Sequence, residues 1–173
     1  MYDKIYVFLN KFFKQATLFK TMFNLSPMYK RSCGKITFVS DDLFLVKVKI
    51  KLSYKNRNYV GSMFGGSLFS ATDPIYMIQL MHILGNDYVV WDKSSEIRFK
   101  KPAYENAYVV FEFSKEEIDT IIRQVALNQE FNYTKNLIIT DKNGAVFTDL
   151  NKTLYISTKA HYKMKKSLRN QSA

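Results

Sequence analysis

Asn58-Tyr-Val-Gly-Ser-Met-Phe-Gly-Gly-Ser-Leu-Phe-Ser-Ala-Thr-Asp73-Pro74, with the apolar run that continues to Leu84, decides the fold. Between Phe64 and Leu84 there is no Lys, Arg or Glu, and Asp73 is the only residue sure to be charged at neutral pH. A helix that is apolar all round must be buried, and the sequence on both sides of this one is strand-like. A carboxylate in such a helix needs a reason.

On the N-terminal side, Val46, Val48, Ile50 and Leu52 alternate with Lys47, Lys49 and Lys51, the period-2 pattern of a half-buried antiparallel strand. A shorter strand, 34–40, precedes it, and Asp41-Asp42 makes the turn between them. On the C-terminal side, 88–91 and 95–100 read as one strand, or as two pieces joined at Asp92-Lys93-Ser94, with Pro102 as the stop. Residues 107–113 form a further strand. Ser114 and Glu117 then form a capping box that opens a surface helix with the apolar stripe Ile118, Ile121, Ile122 and Val125. Two last strands, 131–140 and 145–157, meet at Asp141-Lys-Asn-Gly144, a hairpin turn. The fold class is therefore α+β: a curled antiparallel sheet around a long central helix, with a partner subunit closing the open side.

Charge locates possible partners. The formal net charge is +11. Residues 1–31 carry six basic side chains against Asp3, and 152–173 carry six with no acid, which leaves 32–151 neutral. A nucleic-acid-binding core is not indicated. Solvated ends, or an anionic partner met by the termini, fit the pattern. Cys33 is the only cysteine, which excludes an intrachain disulfide and agrees with a cytoplasmic location. With His82 and His161 far apart, no metal site is expected.

Three segments follow: an N-terminal amphipathic helical extension (1–27), the domain proper (28–158) and a basic tail (159–173) that frays or forms a short helix at 162–168. In the extension, Ile5, Phe8, Leu9, Phe12, Phe13, Ala16, Phe19 and Phe23 share one face, opposite Lys4, Asn10, Lys11 and Lys14. Docking on the domain or its dimer mate is one reading. Lying in a membrane interface, peripheral at the inner face, is the other.

Asp73 has two readings as well. Seven residues beyond Gly66, about two turns, it falls on the same side of a continuous helix as Gly65 and Gly66. Buried there with no counterion near in sequence, it suits a general base. Alternatively, Asp73-Pro74 is an N-cap followed by proline at the first helical position. Gly65-Gly66 likewise offers either close backbone packing or helix-start amides open to an anion. Ser67, Ser70 and Thr72 lack a histidine partner and are expected to bond back to the preceding turn. His82, out of phase with Asp73, is expected to be a core or interface residue.

The stretch 56–102, from Asn56-Arg-Asn-Tyr-Val-Gly through Tyr88-Val-Val-Trp-Asp-Lys to Ile97-Arg-Phe-Lys-Lys-Pro102, resembles the DUF4442 family of the hotdog-fold, acyl-CoA thioesterase-like superfamily. The resemblance covers most of 28–158. In phenylacetate-type hotdog thioesterases an Asn precedes a Gly, then a His-Gly-Gly, then an Asp seven residues on. Asn58, Gly61, Gly65, Gly66 and Asp73 stand at matching positions, and Phe64 stands in place of the His. The resemblance implies Asp73 as general base or nucleophile on a thioester carbonyl. It implies the Gly65 and Gly66 amides as oxyanion donors, with Gly61 and Phe64 beside them, and Asn58 as a positioning residue. It also implies a homodimer or dimer of dimers with the site across an interface, and an acyl-CoA or acyl-carrier substrate. CoA is then part of the substrate rather than a cofactor. A non-catalytic acyl- or lipid-binding protein held at an anionic membrane by its termini is the alternative.

Overall fold

The structure, a computed structural model, describes residues 13–171. The expected helical face formed by Ile5, Phe8, Leu9 and Phe12 lies outside the described residues. Where the extension is described, helix α1 (Gln15–Leu25) buries Ala16, Leu18, Phe19 and Phe23. Phe19 stacks on Phe23 with ring centroids 4.8 Å apart and meets His82 edge-on. This face is thus packed on the domain, and His82 lies under it. Ser26 ends α1, and Pro27, which has no amide hydrogen to lose, starts the short helix α2 (Pro27–Arg31).

Strands β1 (Gly34–Val39), β2 (Leu45–Ile50), β3 (Tyr88–Phe99), β4 (Ala107–Glu112), β5 (Glu130–Thr140) and β6 (Val146–Thr158) form one antiparallel sheet in the order β1-β2-β4-β5-β6-β3. Both outer strands are edges, treated differently. At β1 the Asn24 carboxamide donates to the Ile36 carbonyl and accepts from the Ile36 amide, so α1 covers that edge as a strand would. β3 is one continuous strand rather than two pieces, with its register broken between Asp92 and Ser94. Among the described residues it pairs only with β6. Helix α5 (Lys115–Asn128) begins with the expected capping box and buries Ile118, Ile121 and Val125. Ile122 is exposed instead, because the stripe closes at three residues. The tail forms a full helix, α6 (Lys159–Gln171), docked where Lys165 pairs with Glu130.

The curled sheet encloses the central segment, but that segment is two helices, α3 (Gly65–Ser70) and α4 (Ile75–Leu84), and not the one continuous helix expected. Pro74 lacks the N–H that would continue the ladder, and residues 71–74 form turns in which the Ile75 amide reaches Thr72 at 3.4 Å. The capping reading of Asp73 fails too. Pro74 holds the N-cap position of α4, and no side chain caps it.

Candidate active site

The break between α3 and α4 sets Asp73 outside both helices. Its side chain is 52% exposed, so the expectation of a buried carboxylate is corrected. As expected, no counterion lies near it in sequence; one reaches it from a strand 79 residues away. Lys152 donates to the Asp73 carbonyl, and its Nζ lies 3.4 Å from Asp73 Oδ1 and 3.2 Å from Asp92 Oδ1. The Lys152 side chain is 0% exposed and that of Asp92 is 20% exposed. Asp92 Oδ1 thus forms an ion pair with the buried ammonium. Burial pushes the Asp92 carboxyl up, while Lys152 pulls it down and Asp73 adds to the rise. Two acids thus share one buried cation.

Strand geometry explains how the three meet. Thr148, Leu150, Lys152, Leu154 and Ile156 are the buried alternate residues of β6, so Lys152 points into the domain between two leucines. Asp92 pairs across the sheet with Leu154 and shares that face, diagonal to Lys152. Neither residue was singled out in the sequence. The signal was available, since Lys152 falls in phase with the apolar positions of a strand otherwise read correctly.

Asp73 borders a groove of about 270 Å³ formed with Met28, Arg31, Ser32, Phe69, Ser70 and Pro74. Its walls come from α2 and the end of α3. Thr72 Oγ1 donates to the Phe69 carbonyl at 2.7 Å, the back-bonding expected of small hydroxyls in this segment.

The remaining predicted residues gather at the start of α3. Asn58 closes a loop: its Nδ2 donates to Ser62 Oγ at 2.8 Å and its Oδ1 accepts from the Ser62 amide at 3.0 Å. Both ends of the side chain are engaged in that loop, so Asn58 shapes the approach to α3. Gly61, at φ +83°, makes its turn. Phe64 is the N-cap residue of α3, and its ring lies where a Gly66 Cβ would be. A Cβ at Gly65 would stand 2.8 Å from the Phe99 ring. Close aromatic packing therefore accounts for both glycines. As the first two residues of a helix, their amides have no intrahelical acceptor.

Among the described residues no hydrogen bond or ion pair joins these two groups. Gly65 is against Phe99 and Asp73 is against the Lys152–Asp92 pair. Gly65 and Asp73 are eight residues apart along hydrogen-bonded helical turns, about 12 Å of rise. Among the described residues no cluster of three or more His, Cys, Asp or Glu side chains could hold a metal ion, and no helix is long and apolar enough to cross a membrane.

The model of the family described as a domain of unknown function, DUF4442, matches residues 15–156. The chain belongs to the DUF4442 family. The match begins at the start of α1, so this helix lies inside the DUF4442 region. Among solved structures, a Pseudomonas aeruginosa protein of unknown function, described as a probable thioesterase, matches at 19% identity with a TM-score of 0.73, covering 82% of this chain and 95% of that chain. A Haemophilus influenzae thioesterase matches at 9% identity and TM-score 0.61, covering 83% and 91%. A Chlorobaculum tepidum protein of unknown function matches at 13% and 0.64, covering 91% and 96%. No curated protein matches the chain. These likenesses show that the chain shares its fold with structures described as thioesterases.

Proposed function

We propose that this DUF4442 protein hydrolyses an acyl thioester, of CoA or of an acyl carrier, with Asp73 as general base. The observation that carries the reading is the Asp73 carboxylate at the border of an open groove, next to a buried ammonium. As base, Asp73 takes a proton from water as the water oxygen bonds to the thioester carbon. The C–S bond then breaks, and the departing sulfur takes the proton back. The direct alternative is attack by the carboxylate itself, which breaks the C–S bond, expels the thiolate and leaves an anhydride that water then opens, with the thiolate taking a proton from that water.

The developing oxyanion needs donors, and the free amides at Gly65 and Gly66 are the candidates. The resemblance to phenylacetate-type hotdog thioesterases implies a site across a dimer interface, so we place the donors that serve Asp73 on a second protomer. If the open edges of two β3 strands pair antiparallel around Ser95 and Glu96, Asp92 of one protomer comes opposite Phe99 of the partner subunit. Asp73 then faces the partner's helix start. The rings of Phe64 and Phe99 would form the wall over those amides, where related enzymes carry a histidine in place of Phe64.

The alternative of a membrane-held acyl-binding protein loses support in α1, whose described apolar face is packed in the core. The test is release of free thiol from acyl-CoAs ranging from acetyl to palmitoyl. Turnover of at least one chain-length class is expected, and no turnover of any would overturn the reading.

A further inference from the structure

A lysine whose side chain has no exposed surface cannot touch a substrate, yet Lys152 touches the candidate base at two atoms. It donates to the backbone carbonyl of Asp73 and lies beside the carboxylate Oδ1, gripping the residue from the main chain and the side chain together. The main-chain contact falls at the proline break, where the helical ladder is interrupted. Among the described residues Asp73 Oδ2 has no hydrogen-bond partner, and Asp73 lines the groove.

Asp92 completes the arrangement. It approaches Nζ at 3.2 Å, and its side chain is the more buried of the two acids. With one cation between two carboxylates, the trio keeps a net negative charge. Asp92 and Lys152 balance each other inside the domain, and the remaining charge resides at the exposed end on Asp73. A lysine facing Asp73 alone would neutralise it. The bulge between Asp92 and Ser94 occurs beside this contact, which is where β3 changes register against β6.

We infer that Lys152, braced by Asp92, is the positioning residue of the site: it fixes the carboxylate of Asp73 toward the groove through the carbonyl and Oδ1 contacts. The inference rests on the reading of Asp73 as the base. It assigns Lys152 no contact with the acyl group, so its loss acts on turnover and leaves substrate binding in place.

Replacing Lys152 alone leaves Asp92 buried without its cation and endangers the fold. The test variant is therefore Lys152→Met with Asp92→Asn, which removes both buried charges, compared with wild type and measured again in an Asp73→Asn background. Thiol release is followed for kcat and KM, with the thermal unfolding midpoint as the fold control. The expected result is a kcat loss of roughly tenfold or more with KM within about twofold. In the Asp73→Asn background the same pair of changes should cost nothing further. A folded double variant with wild-type kcat, or equal losses in both backgrounds, overturns the positioning role while leaving the hydrolase reading intact. A wild type with no turnover overturns both. Should the double variant not fold, Lys152→Arg decides: it keeps the charge but cannot place a single ammonium between the three oxygens. The same kcat loss is expected, and unchanged turnover overturns the inference.

Discussion

Gly61 shows how one residue serves a site it does not line. Its φ of +83° lies in the left-handed region, and no atom stands within 4 Å of where a Cβ would be. The glycine is needed for conformation alone. Gly61→Ala should therefore cost about 1–2 kcal/mol of stability with no steric clash, measured by denaturant unfolding. Gly65 is the opposite case: the Phe99 ring, not the backbone, demands it. The sequence distinguished neither, because a glycine's spacing carries no record of what fills the missing side chain. Asp73 was visible as the lone acid of an apolar stretch, but Lys152 and Asp92 came from strands remote in the chain. Their meeting is a product of sheet register, which pairs Asp92 with Leu154.

At the scale of elements, local chemistry was legible wherever a short-range device sets the structure. The capping box at Ser114 and Glu117, the turn at Gly144 and the alternation in β2 were read directly. The central helix was not. Proline in an apolar run permits a kink or a break, and only packing chooses between them. The tail helix α6 was also underread, since its anchor is tertiary. Glu130 accepts from Lys165 at 2.6 Å and from the Tyr155 hydroxyl, and His161 Nε2 is 3.5 Å away. Lys165 first, then Tyr155, pull the Glu130 carboxyl down from 4.5 to about 2. A folded-state value below the unfolded one gives stability that is complete above the ordinary glutamate range and lost as pH falls toward 2. The docking of α6 should thus loosen in that acid window, seen as loss of the Tyr155–Tyr162 ring contact by NMR. Glu130→Gln should remove the pH dependence, and an unchanged acid transition in that variant would assign it to another group.

At the scale of the molecule, the two sheet edges make opposite statements. β1 is covered by α1 through Asn24, whereas β3 is open and carries exposed Trp91 and Phe99. An uncovered edge strand with exposed aromatic rings suits pairing with a second copy. In sedimentation equilibrium the protein should behave as twice the chain mass of 20.3 kDa. Trp91→Glu with Phe99→Glu should give folded monomers with little thioesterase activity. Active monomers would contradict a site shared between protomers.

All three scales converge on one carboxylate, and the most direct measurement is thiol release from the best acyl-CoA substrate by wild type and by Asp73→Asn. The substitution keeps the shape of a half-exposed side chain, so the unfolding midpoint should move little. Turnover should fall by roughly a thousandfold or more if the carboxylate is the base. An Asp73→Asn protein that turns over at the wild-type rate would contradict the account.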